Sequence, residues 1–167
     1  MSDLETEAEA VARQLVSAAA GAGLTVATAE SCTAGMVAST IADVPGASEV
    51  LRGGAVTYVN EIKHRVLGVS RETLDGVGAV SSACACEMAE GARRVFGTDV
   101  AVSVTGFAGP GGGTPEEPVG TVYFGVASPE GTRFERCSFS GDRSAVRQAA
   151  CQHACELLLD TCRELCR

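Results

Sequence analysis

The stretch LTVATAESCTAGMVASTIA, residues 24–42, decides the fold. Its opening, LTVATA (24–29), is small and β-branched and reads as a buried strand, while TAGMVASTIA (33–42) reads as a helix that the Pro45-Gly46 turn closes. Strand, sharp turn and helix in this order begin a βα unit. Ser31 and Cys32 stand at the handover. A serine there is by type a helix cap. It also sits where backbone N–H groups and the helix dipole favour an attacking oxygen or an oxyanion. The flanking Ala29 and Thr33 are not the glycines of a GxSxG elbow, so both readings stay open.

Upstream, residues 3–20 predict a helix, with Leu4, Ala8, Val11 and Leu15 at helical spacing and Gly21 and Gly23 as its stop. Downstream, AVTYV (55–59) predicts a second strand and NEIKHRVL (60–67) a short helix; Ser81 or Ser82 caps a longer helix through Phe96. DVAVSVTG (99–106) alternates as a third strand. After the glycine-rich loop FAGPGGGTPEEP, the segments VGTVYFGVAS (119–128) and TRFERCSFS (132–140) form a hairpin about PEG, and a helix runs from about Arg143 to Leu165. The expected fold is α/β, a three-layer α/β/α sandwich on a mixed, mostly parallel five-stranded sheet. No linker or repeat interrupts residues 1–167, which are expected to form one domain.

The formal net charge of −8 argues against nucleic acid or an anionic membrane as the main partner, though a local cationic pocket stays open. No apolar run approaches the roughly 18 residues of a membrane span, and the acidic start MSDLETEAEA has no secretory pattern. A soluble, cytoplasmic protein is expected, with its eight cysteines as reduced thiols. Cys151, Cys155, Cys162 and Cys166 form a stripe beside the apolar face of the last helix. Positions 151 and 166 lie about 22 Å apart along a helix, too far for one metal, so small apolar packing or an interface between subunits accounts for them better. No metal site and no cofactor is assigned. A homo-oligomer is expected.

Parallel sheets gather functional groups on the loops at the carboxyl ends of their strands. Ser31, the segment Tyr58–Lys63, and Thr105 with Gly106 all fall there. Lys63 is the only lysine among 13 Lys+Arg residues, in a chain that otherwise uses arginine. An amine can lose its proton where a guanidinium cannot, so Lys63 is either a base for Ser31 or a surface residue. Asn60 shares its helical face. Cys32 with His64 is a thiol alternative, weakened because His64 follows Lys63 directly on the helix. The glycine-rich loop lacks the lysine of a phosphate-binding loop; it is a source of oxyanion donors or a connection. Arg143 and Arg147 share the core-facing side of the last helix, and either bind an anion or pair with Asp142 or Glu30.

The segments TAESCTAG (28–35), GGAVTYVNEIKHRVLGV (53–69), GAVS (78–81), SVTGFAGPGGG (103–113) with EEPVGTVYFGVA (116–127), and FSGDRSAVRQ (139–148) together resemble the CinA C-terminal domain family over about residues 8–160. The chain resembles its stand-alone form. The resemblance implies an amidase that converts nicotinamide mononucleotide to nicotinate mononucleotide and ammonia without a cofactor. It implies Ser31 as nucleophile, Lys63 as base and Tyr58 as an assisting group. Thr105 and Gly106 fall on its oxyanion and amide side, Glu30, Thr33, Ser48 and Asn60 line the site, and Arg143 or Arg147 holds the phosphate. Ala34 departs from it, since many members carry glycine there. Two other functions compete: a non-catalytic binding or regulatory domain, and an amidase for a different phosphorylated amide.

Overall fold

The computed structural model describes residues 6–167. Helix α1 (Glu7–Ala22) starts at Thr6, whose hydroxyl accepts from the Glu9 amide while the Glu9 carboxylate accepts from the Thr6 amide. This reciprocal cap marks the start of α1. Residues 3–5 of the expected helix, Leu4 among them, lie outside the described residues. There follow β1 (Val26–Glu30), α2 (Met36–Ala42), a 3-10 turn (Ala47–Glu49), β2 (Leu51–Val56), α3 (Asn60–Leu67), α4 (Arg71–Asp75) and α5 (Ser82–Phe96). The chain continues through β3 (Val100–Gly106), β4 (Thr121–Ser128), β5 (Gly131–Ser138) and α6 (Arg143–Leu165). Of the two serines expected to cap α5, Ser81 is the cap.

The sheet order is β2-β1-β3-β4-β5. β1 is parallel to both its neighbours, and β4 alone runs against the other four strands. Helices cover both faces, which makes the expected three layers. One face carries the larger side chains, Val26, Val102, Val104, Phe124 and Val126, packed under α1, α2 and α6. The other is floored by Ala27, Ala29 and Ala101 beneath α5 and the end of α3. Those small residues let α5 lie close: a Cβ at Gly125 of β4 would stand 2.1 Å from the Ala85 carbonyl. The Ser103 hydroxyl donates to the same Ala85 oxygen, tying helix to sheet.

Two expectations shift. The second strand is Leu51–Val56 rather than 55–59, because the glycines that disguise it are required by neighbours. A Cβ at Gly53 would meet the Phe96 ring at 2.6 Å, and one at Gly54 the Thr28 hydroxyl at 2.4 Å. α2 begins at Met36 rather than Thr33, since residues 31–35 form a turn with Ala34 (φ 49°) and Gly35 (φ 95°) in the left-handed region. Of the cysteine stripe, Cys151, Cys155 and Cys162 are buried inside the fold and Cys166 is exposed, so the first three serve as internal packing. Among the described residues, no helix is long and apolar enough to cross a membrane.

Candidate active site

The handover after β1 separates the two readings of Ser31. Glu30, the last residue of β1, is 1% exposed, and its carboxylate accepts from the Val37 and Ala38 amides at 2.9 and 3.1 Å. It also accepts from the Thr28 hydroxyl. A buried carboxylate thus caps α2. Ser31 is freed from that task. Its amide continues the ladder to the Val104 carbonyl at 2.9 Å, and its hydroxyl faces away from α2 toward α3.

There it meets Lys63, whose Nζ lies 2.9 Å from Ser31 Oγ, 2.7 Å from the Thr57 carbonyl and 3.4 Å from the Tyr58 carbonyl. Lys63 is 1% exposed. No ion pair among the described residues includes it. Burial therefore dominates and holds its pKa below the usual lysine value. A lysine that loses its proton keeps two N–H donors, enough for the two carbonyls, and turns its lone pair to the serine hydroxyl. The thiol of Cys32, buried beside it, is pushed up to about 11 by desolvation. Such a thiol is a poor nucleophile. His64 points its Nδ1 at the Val69 carbonyl (2.7 Å), so the Cys32–His64 pairing does not form.

Ser31 and Lys63 open into a cavity of about 190 Å³. Asn60, Thr105, Gly106 and Tyr58 line it as expected. Ala79, Val80 and Ala108 add an apolar wall that sequence reasoning missed, although GAVS and FAG had already marked these segments. The Thr105 hydroxyl donates to the Ala79 carbonyl at 2.8 Å, leaving its lone pairs as what it can offer. At the mouth Arg143, the first residue of α6, donates to the Tyr58 hydroxyl (2.8 Å) and the Gly109 carbonyl (2.6 Å). The lining offers one thiol and no imidazole or carboxylate.

Comparison with known proteins gives the family. The family model described as the CinA C-terminal domain matches residues 8–162. The chain belongs to the CinA C-terminal domain family. A protein of Caldanaerobacter subterraneus subsp. tengcongensis, named as competence-damage inducible, is 52% identical over 136 residues, covering 81% of this chain and 33% of its own length. A CinA-like protein of Thermotoga maritima is 48% identical over 134 residues, again 33% of its length. This CinA domain thus spans about a third of the curated relatives it matches. The crystal structure of the competence/damage inducible protein CihA from Agrobacterium tumefaciens superposes with a TM-score of 0.91 at 39% identity, over 96% of this chain and 98% of that one. A CinA superfamily protein of Klebsiella pneumoniae gives 0.90 at 33% identity, over 94% and 98%.

Four residues expected around the site stand elsewhere in this CinA domain. Glu30 is spent on the α2 cap. Thr33 is fully buried in the turn and does not line the cavity. Ser48 lies in the 3-10 turn before β2, at the end of the strands opposite Ser31. Arg147 does not line the cavity and pairs with no acid among the described residues: its guanidinium donates to the carbonyls of Cys32 (2.9 Å) and Thr33 (3.2 Å). It holds the turn that carries Ser31.

Proposed function

We propose that this CinA domain deamidates nicotinamide mononucleotide to nicotinate mononucleotide and ammonia, with Ser31 as nucleophile and Lys63 as general base. The single observation that carries the reading is the 2.9 Å contact between Ser31 Oγ and the buried Lys63 Nζ. A scaffold gains nothing from burying its only lysine without a counter-charge. A base gains a pKa lowered toward neutrality.

In this mechanism neutral Lys63 takes the Ser31 proton as Oγ attacks the carboxamide carbon. Backbone N–H groups of the turn after Ser31 receive the oxyanion. Thr105, its proton held by Ala79, accepts from the amide NH2. The tetrahedral intermediate expels ammonia, which carries away the proton returned by Lys63. Water, deprotonated by Lys63, then attacks the acyl ester; the C–Oγ bond breaks as Lys63 hands that proton back to Ser31 Oγ, and nicotinate mononucleotide leaves. The pyridine ring fits the wall of Ala79, Val80 and Ala108, Asn60 lies beside the ring, and Arg143, steadied by Tyr58, takes the phosphate at the mouth. Of the two arginines, this gives the phosphate to Arg143.

The test is ammonia release from nicotinamide mononucleotide by the purified protein beside Ser31→Ala and Lys63→Ala. Both variants are expected to lose at least about 10²–10⁴-fold in kcat/KM, the size of a general-base contribution. No ammonia from the folded wild type would overturn the amidase reading in favour of a binding or regulatory domain; ammonia from a different phosphorylated amide would redirect the substrate.

A further inference from the structure

We infer that the outer edge of the sheet carries a divalent-cation site of the zinc type, formed by Glu135 and Cys137 of β5 and His153 of α6. The ligating atoms of these three half-buried side chains all lie within 4.8 Å of one another. A tetrahedral zinc ion with ligands at about 2.0–2.3 Å holds them about 3.3–3.8 Å apart, so only small side-chain adjustments separate the present arrangement from a coordinating one. Glu135 and Cys137 are two apart on β5 and therefore point to the same face, the one that α6 covers. Nitrogen, oxygen and sulfur from three residues, with a fourth position left for water, is the donor set of an open zinc site.

The surroundings favour a ligand over a simple ion pair. His153 Nε2 already faces Glu135 Oε2 at 2.9 Å, while Nδ1 faces Glu156 Oε2 at 3.3 Å. With the cation on Nε2, the proton sits on Nδ1 and is donated to Glu156; such an outer carboxylate accompanies most metal-bound histidines. The ring is held edge-on against Phe124, with centroids 4.8 Å apart, and against Phe139 at 6.3 Å. Glu135 is divided: Oε2 faces the imidazole while Oε1 faces Arg133 at 3.6 Å, so it coordinates through one oxygen. One carboxylate, one thiolate and one neutral imidazole balance a dication. An ion pair alone has no use for the Cys137 sulfur. The site stands about 15 Å along α6 from Arg143, given ten residues at 1.5 Å each, and is separate from the Ser31 cavity.

Cobalt(II) substitution reads this directly. Titration of the reduced, metal-free full chain with Co²⁺ is expected to saturate at one equivalent, with tetrahedral visible bands and a sulfur-to-cobalt charge-transfer band. Cys137→Ser is expected to abolish the charge-transfer band, and the exposed Cys166→Ser to leave it. Glu135→Gln, at a half-exposed position that folding tolerates, is expected to weaken binding at least tenfold. Glu156→Gln is expected to weaken it about 10–100-fold while keeping the band. Zinc is expected to displace cobalt and raise the melting temperature of the wild type but not of Cys137→Ser. A wild type with no saturable band, or a band that survives Cys137→Ser, overturns the site. Ammonia release is not the readout, so this outcome is independent of the amidase reading.

Discussion

Lys63 is the one lysine of the chain and the largest fully buried side chain among the described residues. Its native pKa lies below the 10.5 of an exposed lysine because burial disfavours the ammonium. The unfolded chain therefore binds the proton more tightly. Stability from this group is fully present above 10.5 and is lost as pH falls through the native value. Lys63→Met removes the linkage, so its stability relative to wild type is expected to be greatest in acid and to shrink as pH rises toward 10.5, read by urea unfolding from about pH 6 to pH 10. A variant with an unchanged pH slope would mean that the lysine is solvated. Ala34 offers a second residue-scale test. It holds φ 49°, a left-handed conformation that costs an L-residue about 1–2 kcal/mol, partly offset because alanine loses less chain entropy than glycine. Ala34→Gly is expected to raise stability by about 0.5–1 kcal/mol, seen as a higher melting temperature.

At the scale of elements, what was legible in the sequence followed the strength of its local signals. β3, β4 and β5 alternate or run apolar, and α5 and α6 carry serine and aspartate caps; for all five the bounds expected from sequence lie within a residue or two of those observed. β2 differs from its expected place because its reason for existing is not local: Gly53 and Gly54 yield space to Phe96, Thr28 and Ala38, which no window around residue 53 contains. Glu30 departs from its expected role for a related reason, since a carboxylate beside Ser31 looks like a site residue until the helix it caps is in place. The Ser31–Lys63 pair could be suspected from a lone lysine on a strand-end helix, but its 2.9 Å contact depends on the sheet bringing β1 and β2 together. The same close packing gives a sharp contrast between two glycines. Gly125→Ala drives a Cβ to 2.1 Å from the backbone of α5, which cannot move like a side chain, and is expected to cost about 3 kcal/mol or more. Gly111→Ala, with nothing within 4 Å, is expected to stay within about 0.5 kcal/mol of wild type. Denaturant midpoints of the two variants measure the difference.

On the scale of the whole molecule, a net charge of −8 repels an anionic substrate, so a phosphate must be met by a local cation. In the proposed function that cation is Arg143, which stands at the cavity mouth joined to Tyr58 and Gly109, while Arg147 is committed to backbone carbonyls. The two arginines that the helical wheel made equivalent are therefore predicted to separate by substrate. Arg143→Ala is expected to raise KM for nicotinamide mononucleotide about 10–100-fold, the worth of about 1.5–3 kcal/mol for a charge-assisted hydrogen bond, with kcat nearly kept. On nicotinamide riboside, which has no phosphate, the same variant should behave like wild type. Arg147→Ala should lower kcat on both substrates alike, because it loosens the turn that presents Ser31 rather than any contact to the nucleotide. Steady-state kinetics of the two variants on the two substrates give four comparisons. An Arg143→Ala penalty that persists on the riboside would remove the phosphate from the mouth of the cavity and make Arg143 a support for Tyr58 instead.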